Sequence, residues 1–328
     1  KITQQRYAGL VRRNELAARQ AAHQQALLAS ARAEVDRVLA GFTGGLFTGS
    51  TIGGFAIGRL LGRGGMGEVY AAIKQSREVA LKVIRADKVG GSTLRRFALE
   101  AQALTRVESP YVARVIDVGT EDGRLPYMAM ELVHGTSLAE ILRERERLEL
   151  ADVRSLVREA TRGLADVHRA GVVHRDIKPS NFLRTESQWK LVDFGVAVIE
   201  DAPRATTGNV LVGTPAYMAP EQLLGGEIDP RTDLYALCLV LYRVIVGRPA
   251  FTQQRVSDPS STPADPYAMG DLPIALCHAL RVGLATLPGD RFQTATELEA
   301  AFEAALDGRV AEALAARARV LATRDPWR

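Results

Sequence analysis

The stretch that most constrains this chain is Val173-His174-Arg175-Asp176-Ile177-Lys178-Pro179-Ser180-Asn181. It sets an ammonium and an amide two and five residues after the carboxylate of Asp176, between apolar segments at 171–173 and 182–183. A helix would scatter these groups around its axis. A tight loop can point them into one cavity. Twelve residues after Asn181, Asp193-Phe194-Gly195 adds a second carboxylate and a glycine that lets the backbone turn. Two acids and an amide oxygen are hard ligands suited to Mg²⁺, which readily shares the phosphates of a substrate. The stretch therefore asks for a phosphate-bearing substrate and for a place upstream to hold one.

That place is Leu61-Gly62-Arg63-Gly64-Gly65-Met66-Gly67-Glu68-Val69, which contains G-x-G-x-x-G-x-V. Alone the pattern is weak, because dinucleotide-binding folds use similar glycines. There the glycines lead into a helix. Here residues 68–73 read as extended, and 78–84 (EVALKVI) reads as a second strand with Lys82 in its middle. A Gly-rich hairpin followed by a strand lysine is the kinase arrangement. With the loop at 173–181 and Asp193, the chain resembles the eukaryotic-type (Hanks-type) protein Ser/Thr kinases of bacteria over roughly 55–306. The resemblance implies an α+β, two-lobed protein kinase fold. A small lobe of antiparallel sheet plus one helix precedes a large, mostly helical lobe. The implied division is 55–133 and 134–307, after an N-terminal helix (1–40) and a Gly/Thr-rich linker (41–54), with a helical extension at 308–328.

It also implies roles. Asp176 accepts the proton of the attacking hydroxyl or orients it, and Lys178 neutralises charge on the transferred phosphoryl group. Asn181 and Asp193 hold Mg²⁺, or Mn²⁺ in its place. Lys82 meets the α/β-phosphates of ATP, with Glu100 on the following helix as its partner. The glycine loop from Leu61 to Val69 covers the phosphates, while Val69, Ala80 and Leu183 sandwich the adenine ring. Met130 backs that pocket, and the backbone of Glu131 and Val133 hydrogen-bonds the base. Leu104, Val115, His174 and Phe194 form an apolar spine, continuous only in the active state.

Lys178 and the run Gly213-Thr214-Pro215-Ala216-Tyr217-Met218-Ala219-Pro220-Glu221 are the Ser/Thr forms of their motifs. Thr214 is expected to touch Asp176 and Lys178. Arg175 is expected to pair with a phosphate on the activation segment, where Thr206 and Thr207 are the available acceptors. Asp233 should accept backbone amides of the catalytic loop, and Arg291 should pair with Glu221. Cys238 departs from the family, which usually has glycine there. So does 252–270, whose Pro259, Pro263 and Pro266 argue loop where the family has a helix.

Composition bounds the rest. The net charge of +4 falls within residues 1–40, which carry seven Lys/Arg and three Asp/Glu, so the kinase-like part does not read as a nucleic-acid binder. Residues 1–40 suit a helix, with a heptad stripe (Tyr7, Leu10, Ala17, Ala21, Leu28, Ala31, Val35, Val38) interrupted by Asn14 and Gln24. A homodimer through this helix, a helix packed on its own domain and a solvated arm all fit. Val38 to Gly58 is uncharged for 21 residues, but seven glycines and four Ser/Thr make it a linker, not a membrane span. The two cysteines, in apolar surroundings, read as buried thiols of a cytoplasmic protein, though a longer protein could be membrane-tethered elsewhere. All polar groups of the chemistry are present, which favours an active kinase. The alternative is an ATP-binding, pseudokinase-like scaffold that signals by dimerisation.

Overall fold

The computed structural model describes residues 44–64, 67–84, 91–194, 215–251, 261–269 and 272–308. The N-terminal helix, Gly65 and Met66, Thr206, Thr207 and Thr214, and all but residue 308 of the C-terminal extension lie outside them. Residues 44–48 make a turn closed by Gly45 N donating to Thr48 Oγ1 at 3.0 Å.

From Gly49 onward the chain builds a sheet first. Strands β1 (Thr51–Ile52), β2 (Phe55–Arg63), β3 (Gly67–Lys74), β4 (Arg77–Ile84), β5 (Val115–Glu121) and β6 (Leu125–Glu131) form one sheet in the order β1-β2-β3-β4-β6-β5. Every pairing in it is antiparallel. The strands follow the β-branched and aromatic runs, which fit a pleated, half-buried surface. Strand β1 falls in what the sequence suggests is linker. Ile52 turns back on Phe55 and is 3% exposed, so one apolar side chain draws the end of that glycine-rich segment into the sheet. Helix α1 (Gly91–Leu104) lies between β4 and β5, and Phe97, Ala101 and Leu104 bury one stripe of it.

The large lobe opens with β7 (Thr136–Ser137) and α2 (Leu138–Glu144). Ser137 caps α2 reciprocally: its Oγ accepts from Glu140 N at 3.2 Å, and the Glu140 carboxylate accepts from Ser137 N at 2.9 Å. Helix α3 (Leu150–Arg169) buries Val153, Leu156, Val157, Ala160, Leu164 and Val167, the stripe its 3.6-residue period predicts. Strands β8 (Phe182–Arg184) and β9 (Trp189–Leu191) complete a three-stranded sheet with β7, and α4 (Pro220–Leu224) follows. Helix α5 (Pro230–Val246) is the centre of the lobe: 13 of its 17 residues are buried. A helix apolar on all sides must be surrounded by protein. Helices α6 (Ile274–Gly283) and α7 (Ala295–Leu306) pack around it. Among the described residues no helix is long and apolar enough to cross a membrane.

Cys238 of α5 has a structural counterpart. A Cβ placed on Gly283 of α6 would lie 2.1 Å from the Cys238 sulfur, so the helices meet by opposing a side chain to a glycine. The bulk absent from α6 is supplied by α5. Gly283→Ala should therefore cost about 1–3 kcal/mol by overpacking, and adding Cys238→Ala should recover most of that loss in thermal melts. Strictly additive losses would show that the two sites do not share this space.

Of 252–270, residues 261–265 are irregular and Pro266–Met269 make a single 3₁₀ turn, held by Ala264 N donating to Ala250 O at 2.7 Å. The described part of this segment holds no α-helix.

Candidate active site

Strand register gathers the nucleotide-pocket residues on one face. Val69 pairs with Lys82, Lys82 with Met128, and Ala80 with Met130. Directly opposed residues share a face, so Val69, Ala80, Lys82 and Met130 lie together. Glu131, at the end of β6, keeps its backbone tied to Arg114 through a 2.8 Å bond from its own N–H. Leu183 is half-buried on β8, in the other lobe. The glycine hairpin narrows at Gly64, whose N–H donates to Gly67 O at 2.9 Å. Gly67 admits no side chain, because a Cβ there would stand 2.1 Å from the Val83 carbonyl oxygen. Glu68 is 3% exposed and takes the Arg63 Nε at 2.6 Å and the Tyr70 hydroxyl. That clasp across the hairpin is invisible in the motif, which records the glycines only.

The catalytic loop is pinned from below. Asp233, near the start of α5, accepts the backbone amides of His174 and Arg175, both at 2.8 Å, and the His168 Nε2 at 2.8 Å. Gln222 of α4 donates to the Arg175 carbonyl at 2.8 Å. Neither His168 nor Gln222 is singled out by sequence. Each lies in a helix whose pattern speaks only of burial. Arg175 itself sits at φ +65°, a left-handed conformation that a non-glycine residue keeps only when its surroundings fix it.

On this loop the polar groups converge. Lys178 Nζ is 2.7 Å from Asp176 Oδ2. The Asn181 amide donates to the Asp176 carbonyl at 2.8 Å and to its carboxylate at 3.2 Å. Asp193, at φ +58°, lies beside them, with Val192 N donating to Asn181 O at 2.8 Å. With the Asn181 nitrogen engaged by Asp176, its oxygen accepts only from the Ser180 hydroxyl at 3.3 Å among the described residues, and retains lone-pair capacity as a hard donor. The same nitrogen also reaches the Asp193 carbonyl at 3.5 Å. That donor set fits a divalent cation of the Mg²⁺ type, which takes one or two protein oxygens and completes its shell with phosphate and water.

Burial pushes the Asp193 carboxyl up, but the ammonium groups of Lys82 and Lys178 outweigh it and hold it below the ordinary carboxylate range. His174 is fully buried, with its ring centroid 4.8 Å from that of Phe194. Leu104, Val115 and Phe194 belong to the same buried cluster. Burial pushes the imidazole of His174 below its usual pKa, against the pull of Asp233, Asp176, Asp193 and the Val192 carbonyl. The unfolded chain takes up this proton below about pH 6.5 while the folded chain does not, so folding is penalised as pH falls from there towards the lowered pKa. His174→Phe should thus flatten the loss of stability between about pH 6.5 and 5 in urea unfolding. An unchanged slope would exclude a neutral buried imidazole.

One expected pair is not made. Lys82 does not meet Glu100. Its ammonium lies 2.5 Å from Asp193 Oδ1 and donates to the Phe194 carbonyl at 2.8 Å. Glu100 instead receives Arg175 Nη1 at 2.9 Å. The reason is local charge balance. Asp193 is the anion beside Lys82, and the Arg175 guanidinium is the cation that meets Glu100. Glu221 and Arg291 do meet, in a bidentate pair at 2.7 and 2.8 Å with the arginine side chain wholly buried.

Comparison with known proteins identifies the family and the fold. Residues 55–269 match the family described as protein kinase domain. The chain belongs to the protein kinase family. It is 37% identical over 270 residues to the serine/threonine-protein kinase PknD of Mycobacterium tuberculosis, covering 79% of this chain and 40% of that protein. It is 36% identical over 253 residues to the serine/threonine-protein kinase PknL of Mycobacterium bovis, covering 74% and 63% respectively. The chain thus spans less than two thirds of the length of these curated relatives. The crystal structure of the Mycobacterium tuberculosis PknI kinase domain matches with a TM-score of 0.66 at 30% identity, covering 80% of this chain and 99% of that one. The two-lobed kinase fold is thereby established, with the small-lobe sheet and the helical lobe on either side of the site. The relatives are bacterial kinases of the Hanks type.

Proposed function

We propose that this chain is a protein serine/threonine kinase of bacterial signalling, which transfers the γ-phosphoryl group of ATP to Ser/Thr hydroxyls of proteins. The observation that carries this reading is the convergence of Asp176, Lys178 and Asn181 on one loop, with Lys82 and Asp193 beside it. Asp176 is the only one of the five with a carboxylate on the loop itself, so it receives the proton of, or aligns, the attacking hydroxyl. Lys178 screens charge on the group in transfer, and Lys82 holds the α/β-phosphates. Asn181 and Asp193 hold Mg²⁺, with Mn²⁺ as a substitute. The cation supplies charge neutralisation on the phosphates. Val69, Ala80, Leu183 and Met130 receive the adenine, against the backbone of Glu131 and Val133.

The catalytic unit of this reading is 55–307, and its free thiols fit a reducing compartment. Thr206 and Thr207 are its switch, phosphorylated by a second copy, and residues 1–40 are a pairing helix. Incubation with Mg-ATP and mapping by mass spectrometry tests this. Phosphate on Thr206 or Thr207, and lost activity in Thr206→Ala/Thr207→Ala, is the expected result. Unchanged activity in that variant would remove the switch. No incorporation despite ATP binding would favour the second reading, a scaffold that binds ATP without turnover. That reading draws on the Lys82–Asp193 pair, which sets the nucleotide lysine against the metal carboxylate.

A further inference from the structure

The two arms of the glycine hairpin are held with unequal firmness. Strand β3 pairs with β4 at every residue from Gly67 to Lys74, without a shift in register. Strand β2 has a strand on its other side only at its start, where β1 meets Phe55 and Ala56. Beyond Ile57 it is a sheet edge, paired with β3 alone among the described strands. That pairing slips twice, between Ile57 and Leu60 and again between Leu60 and Gly62. Such irregularities bend a strand and loosen its ladder. Residues 58–63 are exposed except for the half-buried Leu60. A side-chain tie reaches this loose arm at its tip. Arg63 stands opposite Glu68 in the register, and its Nε donates to the Glu68 carboxylate at 2.6 Å. Glu68 is a fixed post. It is buried on β3 and also accepts the hydroxyl of Tyr70, which is wholly buried. Arg63, by contrast, keeps 34% of its side chain in solvent.

The tie lies on the face turned away from the nucleotide. Side chains alternate along a strand, so Glu68 and Tyr70 point opposite to Val69, which shares its face with Lys82. The carboxylate therefore sets no charge directly against the phosphates. It acts on them through the arm that it holds. We propose that Glu68 is a positioning residue that latches Arg63, and with it the β2 arm of the hairpin, over the bound nucleotide, and so sets how slowly nucleotide leaves. The inference rests on the kinase reading. The pair suits this task because its post is anchored and its arm is not. An ion pair covered at one end and wet at the other is weakened by solvent less than a fully exposed pair, yet it can open. Without it the lowered arm is less populated, and a site whose competent form is less populated holds its ligand less well.

The test is stopped-flow release of a fluorescent ADP analogue from the full chain in Mg²⁺, chased with unlabelled ADP. Arg63→Gln should speed release by about 5- to 20-fold, the weight of one part-exposed hydrogen bond to a charged group. The association rate should change less, as is usual among variants of one site. Arg63→Lys, which keeps a cation opposite Glu68, should restore most of the slow release. In a Glu68→Gln background Arg63→Gln should add little, because the two side chains act as one unit. A merely structural role would reduce the fraction of chain that binds, and leave the release rate of that fraction as it was. Release at the parental rate in Arg63→Gln, no recovery in Arg63→Lys, or additive effects of the two substitutions would each overturn the proposal. If Glu68→Gln fails to fold, the comparison of Arg63→Gln with Arg63→Lys decides, since Arg63 lies on an exposed edge. Absence of saturable binding to the unaltered chain would instead sink the kinase reading, so the two failures are told apart.

Discussion

Asp176→Asn is expected to lower the turnover number for phosphate transfer by about 10²–10⁴-fold, the usual share of a positioned acid or base, while leaving nucleotide affinity nearly intact. The asparagine keeps the size of the side chain and can still receive Lys178, which now lies 2.7 Å from the carboxylate. What it loses is the negative charge that draws the proton of the incoming hydroxyl. Single-turnover phosphate transfer, measured beside equilibrium binding of the nucleotide analogue, separates the two quantities. A variant that turns over normally would move the catalytic role away from Asp176. One that loses both turnover and binding would mean that the loop has collapsed, and circular dichroism would register it.

The second large effect is on stability. Arg291→Met should destabilise the domain by about 3–5 kcal/mol, because it strands Glu221 as an unpaired buried charge. Arg291 is wholly covered, is bidentate to Glu221, and also donates to the carbonyls of Ala285 and Thr286 at 2.8 Å. Thr232 Oγ1 adds a further bond to the same carboxylate at 2.8 Å. Burial raises the Glu221 pKa, but Arg291 more than reverses this and holds it low, so the carboxylate is charged at neutral pH. At about 2–4 °C per kcal/mol for a domain of this size, the melting temperature should fall on the order of 10 °C. A second change, Glu221→Leu, should restore part of the loss, since removing both charges is far cheaper than removing one. A small shift for the single variant would mean that water reaches Glu221 when the arginine is gone.

Much of the site was legible in the sequence because its parts are short and local. The loop at 173–181 carries three polar groups within six residues. Helix α3 announces its buried stripe from Val153 to Val167, and α5 its lack of a polar face. The pairs Asp233 with the loop amides and Glu221 with Arg291 were reachable through the family resemblance, since each joins residues far apart in the chain. What escaped was the choice among partners. Nothing in the sequence says whether Glu100 takes Lys82 or Arg175, because both are cations that folding brings near α1, and the outcome depends on what else stands beside each. Cys238 and Gly283 escaped for a related reason. Each is odd alone, and only the crossing of α5 and α6 makes them one feature. Strand β1 was hidden by the glycines around Ile52, whose composition outweighed a single apolar anchor.

The burial of α5 has a consequence for where this protein can change. The catalytic loop has little regular structure of its own and takes its shape from Asp233, a side chain 1% exposed on a helix with almost no surface. Its geometry is therefore as durable as the lobe itself, and local opening that spares the core should not disturb it. Helix α1, by contrast, offers Glu100 at the rim, with Leu99 beside it 67% exposed. The shape of the catalytic loop thus follows from the buried core of the large lobe, whereas the partner of Glu100 is set on a helix nearer the surface, where substitutions can change that pairing without moving the loop.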